Sequence, residues 1–194
     1  RSARATKHLA AARWLEDRAG DRAADIAEIL AEPTGHALDL ATAAGDHALV
    51  DEVTPAARRH ALLAGEKLLG LDAARAMTLL DRALSLTPPE HPDHADVLIT
   101  WARARSQAGH DREACDALQK AADLHLAAGH PVPAGGALAE AAGTLLNLGD
   151  PTARAVLDRA ITLLQTEPAG EVVPSSVELR WRPDDHQAAV TVSS

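Results

Sequence analysis

The sequence is poor in aromatic residues: among its 194 residues there is no Phe, no Tyr and only three Trp. Strands normally draw on aromatic and β-branched residues, whereas Ala, Leu, Glu and Arg favour helices. Ala and Leu supply most of the apolar residues in this chain. The composition therefore predicts an all-α protein.

Other scarcities narrow the class of protein further. The one cysteine, Cys115, cannot form a disulfide within the chain, and this fits a reducing, cytoplasmic compartment. No run approaches the roughly 18 apolar residues of a membrane span. The net charge of −9 argues against a nucleic-acid-binding surface, which needs a basic face. Because the sequence begins at Arg1 and not at Met, we expect it to be part of a longer protein.

A repeated segment is the most informative feature that is present. The sequence LDRALSL at 80–86 recurs 77 positions later as LDRAITL at 157–163, and a weaker copy, LQKAADL, occupies 118–124. A fixed spacing of this size is typical of stacked supersecondary units that cannot bury their apolar faces alone. We refer to residues 80–83 and 157–160 as the two LDRA segments.

Helical periodicity and turn residues divide the chain into helices joined by short turns. Pro33 and Gly35 are expected to interrupt the second helix, and Thr54-Pro55 is expected to begin the next one. Short turns predict antiparallel neighbours, and so an α-solenoid of about eight helices. The predicted helices cover residues 6–17, 21–44 with an interruption at 33–35, 54–70, 72–87, 94–108, 111–128, 134–148 and 151–166.

Residues 167–194 depart from this pattern. Alternating residues at 178–182 and a strand-like run at 190–194 are not part of the repeat. Since an isolated two-stranded unit is marginal in water, we expect an irregular or disordered tail.

Small and large apolar residues recur in each unit as they do in tetratricopeptide repeats. The positions that carry the likeness are Leu63-Ala64, Ala76, Leu80, Ala83 and Pro88, then Trp101-Ala102, Gly109, Ala114, Leu118 and Ala121, then Ala141, Ala153, Leu157 and Ala160. Residues 51–166 thus resemble a tetratricopeptide-like region, although the period exceeds the usual length of about 34 residues.

A second likeness concerns residues 7–46. The sequences KHLAAARWLE at 7–16, AEILA at 27–31, ALDLA at 37–41 and AAGD at 43–46 resemble a region of actinobacterial multidomain adenylate or guanylate cyclases. That region joins an ATPase module to helical repeats, so the resemblance implies that residues 1–50 link to an upstream ATPase module. It implies a regulatory, protein-interaction segment without catalysis or cofactor of its own. LuxR-like transcriptional activators share this style and are an alternative parent.

The tetratricopeptide register also gives candidate site residues. In that register the first helix of each hairpin lines a groove, and Arg58, Asp96, Arg103 and Gln107 are expected to point into it. Such a groove suits a peptide of acidic or mixed charge, or a neighbouring domain of the parent chain. A merely solvated face is the other interpretation of the same residues.

The alternative function is a metal-binding or enzymatic domain that uses the histidine-rich loops. Its best cluster is His91-Pro92-Asp93-His94 with Glu90, but a zinc site needs three or four converging ligands. Cys115 is expected to be buried and unreactive. Trp14 and Trp101 are expected in the core. No phosphate-binding loop or dinucleotide motif occurs, so we predict no catalytic, cofactor or metal residues in this segment.

Overall fold

The computed structural model describes residues 1–165 and two short strands at 177–180 and 189–192. Residues 1–165 form an all-α array in which each helix packs against its neighbour in the chain. A 3₁₀ helix, Gly20–Ile26, separates the first two helices. The α-helices are α1 Ser2–Ala19, α2 Ala27–Thr42, α3 His47–Leu68, α4 Ala73–Ser85, α5 His94–Gln107, α6 Asp111–Ala127, α7 Pro131–Asn147 and α8 Ala153–Gln165.

Tight turns reverse the chain between most helices, as the turn residues in the sequence predict. Glycines after α5, α6 and α7 have positive φ values of 81° at Gly109, 79° at Gly129 and 66° at Gly149. In each turn the following residue donates its backbone N–H back into the last helical turn, which satisfies carbonyls that would otherwise lack a donor. These positions require a residue that tolerates the left-handed region, as glycine does. The turns built on them place consecutive helices antiparallel.

Alanine and leucine form the contacts between helices. One cluster joins α1, α2 and α3, and a larger one joins α5, α6, α7 and α8. Alanine at the contact lets two helix backbones approach closely, and a leucine then fills the space between them. The solenoid-like arrangement is thus built by burial of one hairpin's face against the next, as the repeat predicts. Within the described residues no helix has both the length and the apolar character needed to cross a bilayer.

The prediction that Pro33 and Gly35 interrupt the second helix is wrong, because α2 runs through both. Pro33 leaves the Ile29 carbonyl without its helical donor, but Ile29 is exposed and water can solvate that group. Gly35 is buried against Arg82, whose Nη2 donates to the Gly35 carbonyl at 3.0 Å. Apolar side chains are buried on both sides of the proline, so packing outweighs the local cost.

The expected helix start at Thr54-Pro55 is also wrong. The helix begins at His47, where the Asp46 carboxylate accepts the Leu49 N–H at 3.2 Å. Leu49, Val53 and Ala57 recur every four residues and are all buried, so one apolar face continues past Pro55. The next helix, α4, begins after Asp72, whose carboxylate accepts the Arg75 N–H at 3.0 Å.

The chain divides into two units, and the second comprises Gln165–Ser194. In it, strands β1 Val177–Arg180 and β2 Ala189–Val192 pair antiparallel, with Val177 opposite Val192 and Arg180 opposite Ala189. These strands overlap the alternating residues at 178–182 and the strand-like run at 190–194. Most of residues 167–194 lie outside the described residues, so the irregular or disordered tail stays a prediction.

Candidate partner-binding surface

The four predicted groove residues lie on α3 and α5, and each contacts another part of the array. Arg58 on α3 approaches the α4–α5 loop, where its guanidinium contacts the His91 ring and lies 3.8 Å from the Asp93 carboxylate. Gln107, at the end of α5, accepts the Gly70 N–H at 2.9 Å. Arg58 therefore holds the loop that leads to the next hairpin, and Gln107 holds the turn of the preceding hairpin. A partner would meet both side chains already hydrogen-bonded.

Arg103 and Asp96 are more accessible than Arg58. Arg103 forms a two-point ion pair with Glu140 on α7, with its Nε 2.9 Å from Oε2, and hydrogen bonding to Glu140 raises the pKa of Arg103. Asp96 lies 3.3 Å from the buried Nε2 of His125, yet 68% of its side chain remains exposed. Of the four residues, Asp96 thus has the most capacity to accept donors from a partner.

A row of ion pairs links the odd-numbered helices, and sequence reasoning did not find it. Arg13 on α1 lies 2.7 Å from Glu52 on α3, and Glu16 lies 2.5 Å from Arg59. Arg103 and Glu140 continue the row from α5 to α7. The partners are separated by 37 to 43 residues, close to one repeat, so opposite charges one period apart were the available signal.

The even-numbered helices carry a second row of ion pairs. Arg82 on α4 reaches Asp39 on α2 at 2.6 Å, and Arg159 on α8 reaches Asp123 on α6 at 2.8 Å. Arg82 and Arg159 are the arginines of the two LDRA segments. In these two copies the repeated arginine therefore joins its hairpin to the one before it, a role that the sequence pattern alone left unexplained.

A buried histidine reinforces the contact between α1 and α3. His60 is 1% exposed, and its Nε2 lies 3.4 Å from the Glu16 carboxylate, whereas its Nδ1 has no hydrogen-bond partner within the described residues. Burial lowers the pKa of His60 and outweighs the opposing effect of Glu16. Burial acts to raise the pKa of Glu16, but Arg59 and His60 together hold it below its usual value.

The histidine-rich loop places its side chains in separate environments. His91 faces Arg58, whereas His94 is buried at the start of α5 with its Nδ1 2.7 Å from the Thr87 carbonyl. Among the residues that the structure describes, no three His, Cys, Asp or Glu side chains converge as metal ligands would. The loop thus joins α4 to α5, and His94 packs as a structural side chain.

Cys115 is buried, as expected. Its Sγ lies 3.7 Å from the Ala141 carbonyl in the α6–α7 contact. Burial raises the pKa of the thiol, and the nearby carboxylates of Asp111, Asp116 and Asp150 raise it further. A thiol in this setting is a poor nucleophile, because only the thiolate reacts readily.

The tryptophans differ from the expectation that both lie in the core. Trp14 is 61% exposed, because the buried stripe of α1 runs through Ala5, Leu9 and Ala12 on the opposite side of the helix. Trp101 is half-buried against the cluster that joins α5, α6, α7 and α8, and its Nε1 donates to the Asp81 carboxylate at 2.7 Å. The prediction is therefore wrong for Trp14 and holds only in part for Trp101.

An open groove of about 450 Å³ lies between α2 and α4. Its charged groups, Arg82 and Asp39, are paired with each other across it. The groove therefore offers a mostly apolar floor with few uncommitted polar atoms. It is lined by Leu38, Asp39, Thr42, Ala43, Arg82, Ser85 and Leu86.

Comparison with known proteins assigns neither a family nor a function to this chain. The chain matches no model of a known protein family, and no curated protein is similar enough to count as a relative. Function must therefore be inferred from the helix faces and their charges.

Proposed function

We propose that this chain is a protein-interaction and regulatory scaffold, a tetratricopeptide-like segment of a larger signalling ATPase. The observation that carries the proposal is the use of its charged residues: most of the ion pairs described above join one hairpin to another. Groups held in this way maintain an extended surface and are not gathered around a reacting atom. Extended helical surfaces of this kind bind peptides or neighbouring domains.

The proposed binding site is the face that carries Arg58, Asp96, Arg103 and Gln107. A peptide of acidic or mixed charge would add to the exposed side of these ion pairs, where Arg103 is half-exposed and Asp96 mostly so. Because Arg58, Arg103 and Gln107 also hold neighbouring hairpins, occupancy would alter how the hairpins pack. In the full protein this coupling would favour one arrangement of the array against the ATPase module.

The test measures peptide binding by fluorescence anisotropy, with labelled acidic, basic and mixed-charge peptides of equal length. We expect the double variant Arg58→Ala, Arg103→Ala to bind the preferred peptide about tenfold more weakly than the unaltered chain. The matched control is Arg112→Ala, Arg154→Ala, which removes the same charge from exposed, paired arginines on α6 and α8. Equal binding by both variants, or no peptide bound at about 1 mM, contradicts the proposal.

A further inference from the structure

Helix α1 has two unlike faces. Ala5, Leu9 and Ala12 are buried, and the first two pack in the cluster with α2 and α3. The opposite side presents exposed residues at alternating steps of three and four, which places them along one line of the helix. We call this line the cation–tryptophan stripe; it consists of Arg4, Lys7, Ala11, Trp14 and Arg18.

The stripe is a continuous and chemically specific surface. Arg4 and Arg18 are 14 positions apart, which corresponds to about 21 Å of helix. The Arg18 guanidinium lies 5.5 Å from the centre of the Trp14 ring, so the cation and the exposed indole form one patch. Arg4 and Lys7 supply positive charge at one end, Arg18 supplies it at the other, and Ala11 with Trp14 forms an apolar centre.

The cations of the stripe lack the carboxylate partner that every arginine of α3 to α8 has. Arg13 on the same helix is paired with Glu52, and Arg82 and Arg103 are paired with residues of neighbouring helices. Within residues 1–165, the structure gives Arg4, Lys7 and Arg18 no ion pair. An unneutralised positive stripe on a chain of net charge −9 indicates a surface whose complement is acidic.

We propose that the cation–tryptophan stripe binds an acidic amphipathic helix of a partner protein. The array itself shows the chemistry, because arginine–carboxylate pairs join α1 to α3, α2 to α4 and α5 to α7. The partner helix needs about four turns, with carboxylates toward both ends and small or apolar residues in the middle to cover Trp14. A membrane or a nucleic acid carries negative charge over a large surface, so the rest of this acidic chain would repel it. A single acidic helix would be repelled less.

This inference does not depend on the proposed groove, because the stripe lies on α1 and the groove residues lie on α3 and α5. The experiment uses the whole chain and a labelled synthetic peptide of about 16 residues with glutamates at its ends and leucine and alanine at its centre. Binding is followed by fluorescence anisotropy. The peptide control has the same composition in scrambled order.

Three variants locate the binding site. We expect the triple variant Arg4→Gln, Lys7→Gln, Arg18→Gln to weaken binding about tenfold or more, and Trp14→Ala to weaken it severalfold. The matched control, Arg112→Gln, Lys120→Gln, Arg154→Gln, changes the net charge equally on exposed cations of α6 and α8 and should bind normally. Binding of the unaltered chain should weaken as salt is raised.

Several results would overturn the inference. The first is an absence of binding at about 1 mM peptide, and the second is equal weakening by the stripe and control variants. Tighter binding of phosphatidylserine vesicles or of a DNA duplex through the same residues would replace the partner helix with another class of ligand. Concentration-dependent self-association abolished by the triple variant would assign the stripe to a second copy of this chain. Loss of peptide binding in the Arg58→Ala, Arg103→Ala variant, with normal binding in the stripe variant, would leave only the groove proposal standing.

Discussion

The two LDRA segments have the same four residues but different surroundings. Leu80 on α4 is fully buried, whereas Leu157 on α8 is half-buried. Their arginines behave alike, since each reaches back to a carboxylate on the preceding even-numbered helix. Their aspartates differ: Asp81 accepts a hydrogen bond from Trp101 of the following hairpin, whereas Asp158 pairs with Arg154 on its own helix.

Each LDRA segment contacts the hairpin before it in the array, and these backward contacts can be distinguished from forward contacts with a hairpin after it. The backward ion pair is present in both copies, because each has a hairpin before it. Among the described residues a hairpin follows α4, and Asp81 contacts it through Trp101, whereas the contact described for Asp158 is with its own helix. The contribution of a repeated sequence to folding stability thus depends on the hairpins beside it, as expected when the stability of an array is a sum of interface terms.

The largest expected effect comes from truncating the two leucines. Leu80→Ala should cost about 2–5 kcal/mol of unfolding free energy, because it opens a cavity among fully buried side chains. Leu157→Ala removes the same atoms from a half-buried site and should cost less than half as much. Urea denaturation followed by circular dichroism gives both values. Equal costs would show that the two copies have the same environment.

A pair of glycines sharpens the comparison. A Cβ added at Gly65 would lie 2.6 Å from the side chain of Leu80, and one at Gly135 would lie 2.8 Å from that of Leu164. Leu80 is enclosed, whereas Leu164 is 43% exposed and can rotate away. Gly65→Ala should therefore cost about 1–3 kcal/mol, and Gly135→Ala about 0.5 kcal/mol or less. Thermal melting of the two variants measures this difference, and a costlier Gly135→Ala would contradict it.

The α1–α3 contact should lose stability in acid because of His60. Since its pKa in the folded chain lies below the ordinary value of 6.5, the unfolded chain binds the proton more readily. This contribution is fully present above pH 6.5 and is lost as the pH falls from 6.5 toward the lower folded-state pKa. Glu16, whose pKa is also lowered, acts in the same direction near its usual value of 4.5.

His60→Leu provides the measurement for that prediction. The variant should show a shallower decline of unfolding free energy between about pH 7.5 and pH 5 than the unaltered chain. His47→Gln, at an exposed histidine that begins α3, is the matched control and should retain the decline. An unchanged pH dependence in His60→Leu would assign the acid sensitivity to other groups.

The smallest expected effect concerns the two aspartates. Asp81→Ala removes the acceptor of the Trp101 indole N–H and should cost about 1 kcal/mol, with a change in tryptophan fluorescence. Asp158→Ala breaks only a pair four residues apart on one exposed helix face and should cost about 0.3 kcal/mol. A larger cost at Asp158 would mean that α8 makes forward contacts comparable to those of α4.

Much of the fold follows from the sequence because each turn is determined by residues that are adjacent in the chain. Glycines with positive φ, such as Gly109 and Gly129, mark the ends of helices whatever surrounds them. Pro33 and Pro55 misled the prediction because their cost is local, whereas the burial that outweighs it involves residues on other helices. Trp14 was misplaced because spacing alone does not show which side of a helix is covered.

The candidate site was less predictable than the fold. The tetratricopeptide register placed Arg58, Asp96, Arg103 and Gln107 on the first helix of a hairpin, but it could not show that each contacts another element. Those contacts depend on the angle and separation of helices about one repeat apart. Helical periodicity within one segment carries no information about these distances.

Hydrogen exchange of the native chain tests the central claim most directly, because it reads the stability of each helix separately. The stacked array predicts that backbone amides of α4 exchange at a distinctly higher opening free energy than those of α8, although both helices carry the LDRA sequence. Equal protection of the two segments, or stronger protection of α8, would contradict the account.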